Sequence, residues 1–412
     1  MQPKPRLVVV SPFLDKRHGT EICVAEQLNR LACDYEINVY SERVEDIDLS
    51  RIHWHSVPRL PGPHLTAYLW WFAANSILRW RHGKRGGGAE GVIYSPGINC
   101  LDADIISVHI VFAEFHRQVE KKLWLLRNPV TSWPLLIHRR LYYRLIRTLE
   151  RAVYTRPDVR LIAISHKVAE DLNRFYNRRE DVQVIYYGCD LKRFSPGRRS
   201  ELRETARNDL GLRETEFAVL LIGNDWKKKG LTCLLEATSR LANTPIRILV
   251  VGTDDVTPFS GLLEQHGLAR RVQFLPLRAD VEYYYAATDL YAGPSLEDAF
   301  ALPPLEAMAC GLPVITSREA GVSEIIHHGE DGLILENPED PQTLAEWMGR
   351  LAEDQDFRRR LGENALLTAR KYTWESNAAS MKEVIEQVRQ VKNDLRGDRH
   401  SNSIYIGKGR AV

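Results

Sequence analysis

The sequence predicts an α/β protein made of two doubly wound units, and three observations carry that prediction. At 412 residues the chain is too long for one ordinary core and long enough for two sizeable domains. Short β-rich runs alternate with helix-like runs in two successive passages. Between the passages lies the turn-rich stretch SPGRRS, residues 195–200. Such alternation implies parallel strands, because each parallel neighbour needs a crossover, and the crossover helices cover both faces of the sheet. Two units of this kind joined by a short linker leave a cleft in which the carboxyl ends of both sheets can face one ligand.

The first passage opens with the strand RLVVVSPF and the helix TEICVAEQLNRL, then the strands YEINVY and IHWHSVP. A helix around residues 64–82 precedes the strands GVIYSP and ADIISVHI. A long helix near 133–154, the strand DVRLIAIS, the helix HKVAEDLNRFY and the strand VQVIYYG complete the unit. The second passage runs through FAVLLIGN, GLTCLLEATSRLA, IRILVVG, GLLEQHGL, RVQFLPL, VEYYYAATDLYAGPS, SLEDAFALPPLEAMACGLPVITS and SEIIHHGEDGLILE. The expected divisions are an N-terminal unit over 1–195, a C-terminal unit over 196–375, and a helix over 376–396 that can pack on either. A poorly ordered tail is expected over 397–412.

Apolar residues make up 44% of the chain and charged residues 27%, the balance of a soluble globular protein. A net charge of +2 gives no global bias toward nucleic acid. Six cysteines (Cys23, Cys33, Cys100, Cys189, Cys233 and Cys310) are scattered without a C-x-x-C pair. That is neither a disulfide framework nor a zinc signature, and it implies a reducing cytoplasm. The opening MQPKPRLVVVSPFL enters a strand-like run with no apolar segment of signal length. No stretch approaches 18 uninterrupted apolar residues, and the nearest, Leu65 to Leu78, carries Asn75. A cytoplasmic protein is expected, with membrane contact that is peripheral at most.

The chemistry concentrates in residues 295–317. DLYAGPS reads as a strand ending in a loop, and Pro303 and Pro304 suit the first turn of a helix, where a missing N–H costs nothing. The helix runs to Cys310, Gly311 stops it, and PVITS returns as a strand. The N–H groups of Phe300, Ala301 and Leu302 then sit at a positive helix end suited to a diphosphate. Glu306, placed in the first turn, can accept hydrogen bonds from two vicinal hydroxyls, and Asp298 projects from the loop into the same space. Taken alone, the two acids read first as complements of the helix dipole.

They do not stand alone. The run Asp298-Ala299-Phe300-Ala301-Leu302-Pro303-Pro304-Leu305-Glu306, followed by Ala307-Met308-Ala309-Cys310-Gly311 and Pro313-Val314, resembles the acid-x7-acid motif of family 4 retaining glycosyltransferases, the glycosyl transferases group 1, which have the two-Rossmann GT-B fold. Asp298 replaces the usual first Glu, with Glu297 one place earlier, and Ala299 and Ala301 replace two glycines. The resemblance implies that Glu306 holds the ribose of a nucleotide sugar, that Asp298 touches the donor sugar, and that the amides of Phe300, Ala301 and Leu302 meet the diphosphate.

The stretch Gly223-Asn224-Asp225-Trp226-Lys227-Lys228-Lys229-Gly230 lies between a strand and a helix. It reads as a solvated lysine run, or as a charge that neutralises a departing diphosphate. It resembles the family's lysine-glycine diphosphate grip, which assigns Lys228 and Lys229 to the phosphates and places Asn224 where many members have arginine. RVQFLPLRADV resembles the base-binding edge and brings Arg278 near the nucleobase or phosphates, although a surface arginine is an equal reading.

In the first unit Arg17-His18-Gly19-Thr20-Glu21 resembles the family's G-G-x-E loop, with Gly19 letting backbone approach the ligand; a plain Thr20 helix cap explains it equally well. His109, at the end of ADIISVHI, resembles a histidine that contacts the transferred sugar, with Glu114 and His116 as alternatives. The resemblance implies no metal and no cofactor beyond the NDP-sugar donor, a UDP-sugar being favoured. The reading is a retaining, metal-independent hexosyltransferase with His109, Asp298 and Lys229 as catalytic residues. It would act on a glycan or lipid-linked acceptor in lipopolysaccharide, exopolysaccharide or other cell-envelope synthesis. Its rivals are a non-catalytic GT-B nucleotide-binding subunit, and an epimerase or synthase on the same scaffold.

Arg140, Arg144, Arg147 and Arg151 form one stripe on the helix near 133–154, beside an apolar face of Leu141, Leu145 and Leu149. Trp70, Trp71, Trp80, Trp124 and Trp133 add aromatic bulk to the same half of the chain. An ordinary solvated helix face explains the stripe; so does a seat on an anionic membrane surface.

Overall fold

The computed structural model describes residues 4–15, 19–85, 91–120 and 130–406. The chain forms two compact units, one of residues 1–185 and 377–412 and the other of residues 186–376. The first unit's strands are β1 (Arg6–Val10), β2 (Phe13–Leu14), β3 (Glu36–Ser41), β4 (Arg43–Val44), β5 (His53–Ser56), β6 (Val92–Pro96), β7 (Ile105–Val108), β8 (Arg160–Ala163) and β9 (Val182–Val184). The second unit holds β10 (Phe217–Ile222), β11 (Ile246–Val251), β12 (Val272–Leu275), β13 (Leu290–Gly293), β14 (Val314–Ser317) and β15 (Leu333–Leu335). Every strand run read from the sequence is present.

All pairs are parallel, as the alternation predicts. The first sheet has the order β5-β3-β1-β6-β7-β8-β9 and the second β12-β11-β10-β13-β14-β15, with β2 and β4 a separate small pair. In the first sheet the winding reverses between β1 and β6, and in the second between β10 and β13. Crossovers on opposite sides diverge there and leave a crevice at the carboxyl edge, where open α/β sheets bind ligands.

The helices are α1 (Gly19–Leu31), α2 (His64–Arg85), α3 (Phe112–Val119), α4 (Trp133–Tyr154), α5 (His166–Tyr176), α6 (Pro196–Asp209), α7 (Leu231–Arg240), α8 (Ser260–Gln265), α9 (Glu282–Ala287), α10 (Leu302–Ala309), α11 (Pro341–Glu353), α12 (Gln355–Ala369) and α13 (Trp374–Ile406). The core of the second unit is built on β10, whose six residues are all buried, and on Leu231, Leu234 and Leu235 of α7.

Three differences from the sequence reading, and one choice it left open, have physical causes. The division falls at Ile185/Tyr186, ahead of the expected 195/196, and SPGRRS is no linker. Ser195 caps α6 by accepting from the Arg198 amide, and Pro196 takes the first turn. Arg203 and Arg207 of α6 then pair with Asp289. The final helix belongs to the first unit from Asn377 onward: Met381, Val384 and Ile385 are buried with Leu7, Val9 and Ile37. It also continues to Ile406 through the expected tail, since propagation from a packed helix adds one hydrogen bond per residue fixed; residues 407–412 lie outside the described residues. On α4 the buried positions are Leu136, Ile146, Glu150, Val153 and Tyr154, while Leu141 is exposed beside the arginines.

No helix among the described residues is long and apolar enough to cross a membrane. The six cysteines are free thiols, Cys33 exposed and the others buried.

Gly230 closes the lysine loop with φ +83°, and a Cβ there would stand 2.0 Å from the Pro294 carbonyl oxygen. Both constraints demand glycine. Gly230→Ala is expected to cost more than about 2 kcal/mol, read as a lower urea midpoint, whereas Gly261→Ala, with nothing within 4 Å of its Cβ, serves as the tolerated control.

Candidate active site

In the second unit the lysine loop follows β10 and the acid loop follows β13, so the two flank the β10/β13 switch point. They are tied by backbone and by charge. The Leu296 amide donates to the Lys228 carbonyl at 2.7 Å. Lys229 donates to Asp298 in a close ion pair, and Lys228 lies 3.3 Å from Glu297. Each acid near the helix start therefore has its own lysine, 69 residues away in sequence.

The acid loop is also held from its other side. The Asp298 amide donates to the Glu319 carbonyl at 3.0 Å, Gly321 donates to the Asp298 carbonyl at 3.0 Å, and Val322 donates to the Phe300 carbonyl at 2.6 Å. Phe300 is buried, its ring against Tyr186 and Tyr187. Its amide donates to Asp298 at 3.3 Å, so of the three expected diphosphate donors this one already has a partner. Ala301 is the N-cap of α10 with φ 70° and ψ 104°, a conformation that disfavours any residue with a Cβ. Leu302 starts the helix and the two prolines follow in its first turn, as predicted.

Glu306 sits in the second turn of α10, not the first, because the helix begins at Leu302. It accepts a 2.6 Å hydrogen bond from the Tyr285 hydroxyl of α9. Burial raises its pKa above the usual carboxylate range, with the Tyr285 bond and Arg193 working against the shift. Asp298 and Glu306 are both within electrostatic reach of the buried Tyr291 phenol on β13, whose pKa rises through burial and both charges. The motif's two acids thus share one neighbourhood.

Asn224, after β10, accepts from the Thr253 amide and hydroxyl at 3.0 and 3.1 Å and braces the loops after β10 and β11. Arg278, after β12, is exposed, makes two 2.8 Å bonds to Asp280 and lies over the Tyr283 ring at 4.2 Å. It therefore stands in a surface pair, compatible with the surface reading of its loop. Tyr285, Arg193, Thr253 and the strap Glu319–Val322 escaped sequence reasoning; the tyrosine run 283–285 was the one local signal.

In the first unit, Gly19 is the exposed first residue of α1, and Arg17 and His18 lie outside the described residues, as does Trp124. His109 directly follows β7, and its Nε2 is 3.0 Å from the Ser107 hydroxyl. Burial pushes its pKa down to about 3, so the imidazole is neutral. Glu114 is engaged by Arg117, Gln118 and Arg174, which hold its pKa low. His116 accepts from Arg147 at 3.4 Å. Glu114 thus ties α3 to Arg174 of α5, and His116 ties it to Arg147 of α4. Among the described residues no group of three or more His, Cys, Asp and Glu side chains is placed to hold a metal ion.

Two parallel doubly wound units with these switch points define the GT-B fold. Residues 203–368, most of the second unit, match the family model described as Glycosyl transferases group 1. The chain is 29% identical over 266 residues to a D-inositol 3-phosphate glycosyltransferase of Corynebacterium urealyticum, a match spanning 62% of each chain. Its fold is similar to that of WaaG, a glycosyltransferase involved in lipopolysaccharide biosynthesis, with a TM-score of 0.75 at 22% identity, covering 92% of this chain and 99% of WaaG. Anabaena HepE in complex with UDP and glucose superposes with a TM-score of 0.68 at 20% identity, over 93% and 99% of the two chains.

A carboxyl whose folded pKa is raised opposes folding at neutral pH, and the penalty vanishes as pH falls below its unfolded value. Glu306→Gln, which still accepts from Tyr285, is therefore expected to raise the thermal midpoint at pH 7. The gap to the parent protein should close on acidification toward the ordinary glutamate range; equal midpoints at pH 7 would contradict the raised pKa.

Proposed function

We propose that the protein is a retaining hexosyltransferase that takes its sugar from an NDP donor, a UDP-sugar being favoured. The observation that carries this reading is the Lys229–Asp298 pair across the β10/β13 switch point, beside the amino end of α10. A donor diphosphate would rest on the Ala301 and Leu302 amides and draw on Lys228 and Lys229. Glu306 would take the ribose hydroxyls, and Asp298 the hydroxyls of the sugar. The bond from the anomeric carbon to the phosphate oxygen breaks, and the acceptor oxygen bonds to the same face. The acceptor's proton passes to the departing phosphate oxygen. The lysines and the helix end supply the positive charge that the leaving diphosphate needs, without a metal. The glycosyltransferase names of the relatives and the UDP-bound state of HepE support a nucleotide-sugar donor. Acceptor and pathway are set within this proposal as a glycan or lipid-linked acceptor of the cell envelope.

The test measures thermal shifts with UDP, GDP and ADP. A ligand at 100 times its Kd stabilises by about 2.7 kcal/mol, and the response to UDP should be largest and lost in Glu306→Ala. Sugar transfer should fall about 100-fold in Lys229→Ala. Nucleotide binding without turnover on any acceptor would favour the non-catalytic subunit, which Asp298 and the strained Ala301 keep in view.

An anionic membrane surface is part of the proposal. Arg140, Arg144, Arg147 and Arg151 are exposed on α4, with Leu135, Ile137 and Leu141 exposed on the same helix and Trp70 and Trp80 on α2. Sedimentation with vesicles containing anionic phospholipid should capture the protein. Reversing Arg140, Arg144 and Arg147 to Glu should weaken capture by at least about 100-fold, since loss of the three positive charges alone costs roughly 1 kcal/mol each; absence of capture by the unmodified protein would remove the membrane from the proposal.

A further inference from the structure

Three consecutive tyrosines of α9 send their hydroxyls to three different places. Tyr283 donates to Asp209 at the end of α6, and Tyr284 donates to the Pro276 carbonyl after β12 at 2.7 Å. Those two bonds fix the short helix, and with it Tyr285, which is fully buried with its ring edge-on to Phe194 at 5.6 Å. The Tyr285 hydroxyl reaches Oε2 of Glu306 on α10 at 2.6 Å. A phenylalanine would fill the same space, so what the hydroxyl adds is its bond to the carboxylate.

Burial and the Glu306 charge raise the pKa of the Tyr285 phenol well above its ordinary value, so Tyr285 keeps its proton and donates. Oε1 of Glu306 makes no hydrogen bond among the described residues. It is not one of the buried atoms left without a partner, and it opens to solvent from a half-buried residue. The other groups that face the carboxyl do little to decide its charge. Arg193, ahead of α6, favours ionisation and Glu282 of α9 opposes it, but the two are bonded to each other at 2.7 Å. The thiols of Cys189 and Cys310 and the Tyr291 phenol feel the Glu306 charge, and burial holds all three neutral. Against the burial that disfavours its charge, Glu306 is left with one strong ally, Tyr285. All of these residues belong to the second unit.

We infer that Tyr285 is a positioning residue: its hydroxyl occupies Oε2 of Glu306, leaves Oε1 for the ribose hydroxyls of a nucleotide donor, and extends to lower pH the range in which that donor is held. The ribose clause rests on the transferase reading; the hold on the carboxylate does not. A carboxylate accepts from two hydroxyls at once, whereas a carboxylic acid brings a proton of its own to the same place. Without the Tyr285 bond Glu306 takes up its proton at higher pH, so affinity is lost earlier on acidification.

Two titrations of the full-length protein test this. In the first, ¹³C-labelled glutamate reports the ionisation of Glu306 with no ligand present, its carboxyl signal being assigned by its loss in Glu306→Gln. Tyr285→Phe keeps the ring against Phe194 and removes only the hydroxyl, and the Glu306 midpoint should rise by about one pH unit or more. In the second, the UDP Kd of Tyr285→Phe is divided by that of the parent at each pH, which cancels the titration of UDP itself. The ratio should be smallest in mildly alkaline buffer and grow about tenfold as the pH falls through the carboxyl midpoint. Glu306→Gln should lack the acid limb of affinity that the carboxyl gives the parent. A midpoint unmoved in Tyr285→Phe overturns the hold on the carboxylate. A moved midpoint with a ratio equal at every pH, the result of mere loosening, overturns the part played in nucleotide binding. A moved midpoint in a protein that binds no UDP would uphold the hold on Glu306 and count against the transferase reading alone.

Discussion

A parallel strand cannot be left uncovered, and most of the molecule follows from that. Its neighbours must be reached by crossovers, the crossovers bury both faces, and the strand itself becomes apolar along its length, as β10 is. Charged chemistry is then largely forced to the carboxyl ends of the strands. Where the winding reverses, between β10 and β13, no crossover can cover the gap. The lysines and carboxylates are gathered at that gap because it is the place where the fold leaves backbone amides and side chains facing outward together.

The occupants of the gap are held under opposing constraints. Glu306 is kept where burial disfavours its charge, and one phenol and a nearby arginine offset only part of that cost. Ala301 is kept in a conformation that costs an alanine on the order of 1–2 kcal/mol. The bonds from Asp298, Gly321 and Val322 hold the adjoining loop and leave the backbone little room to relax. Such conditions are sustained by surrounding structure, and here the lysine loop and the strap after β14 supply it.

What the sequence made legible was local. The strands announced themselves by β-rich runs, α4 by its length, and α10 by two prolines in its first turn and Gly311 behind. What escaped was supplied from a distance. α3 starts because Glu150 of α4 accepts from the Phe112 and Ala113 amides at 2.6 and 3.0 Å, a cap no local window contains. Tyr285 meets Glu306 only after α9 folds onto the sheet. The pairing of two acids with two lysines depends on β10 and β13 being neighbours, which alternation alone does not specify. The SPGRRS stretch was a different kind of error: its turn composition outweighed a Ser-Pro helix start that stood in plain view. The order of Asp298 and Glu306 along the chain was readable, but the turn occupied by Glu306 depended on one residue of helix boundary.

The return of α13 to the first unit has a consequence for how the chain is made. The second unit is a continuous segment, complete once residue 376 has been synthesised, whereas the first is interrupted by it. Met381, Val384 and Ile385 are missing from the first core until the residues after 376 have been made, and so is Asn377, which accepts from the buried Gln27. The first unit is therefore the later of the two to close, and a ribosome stalled just after residue 376 would carry a finished second unit on an open first one.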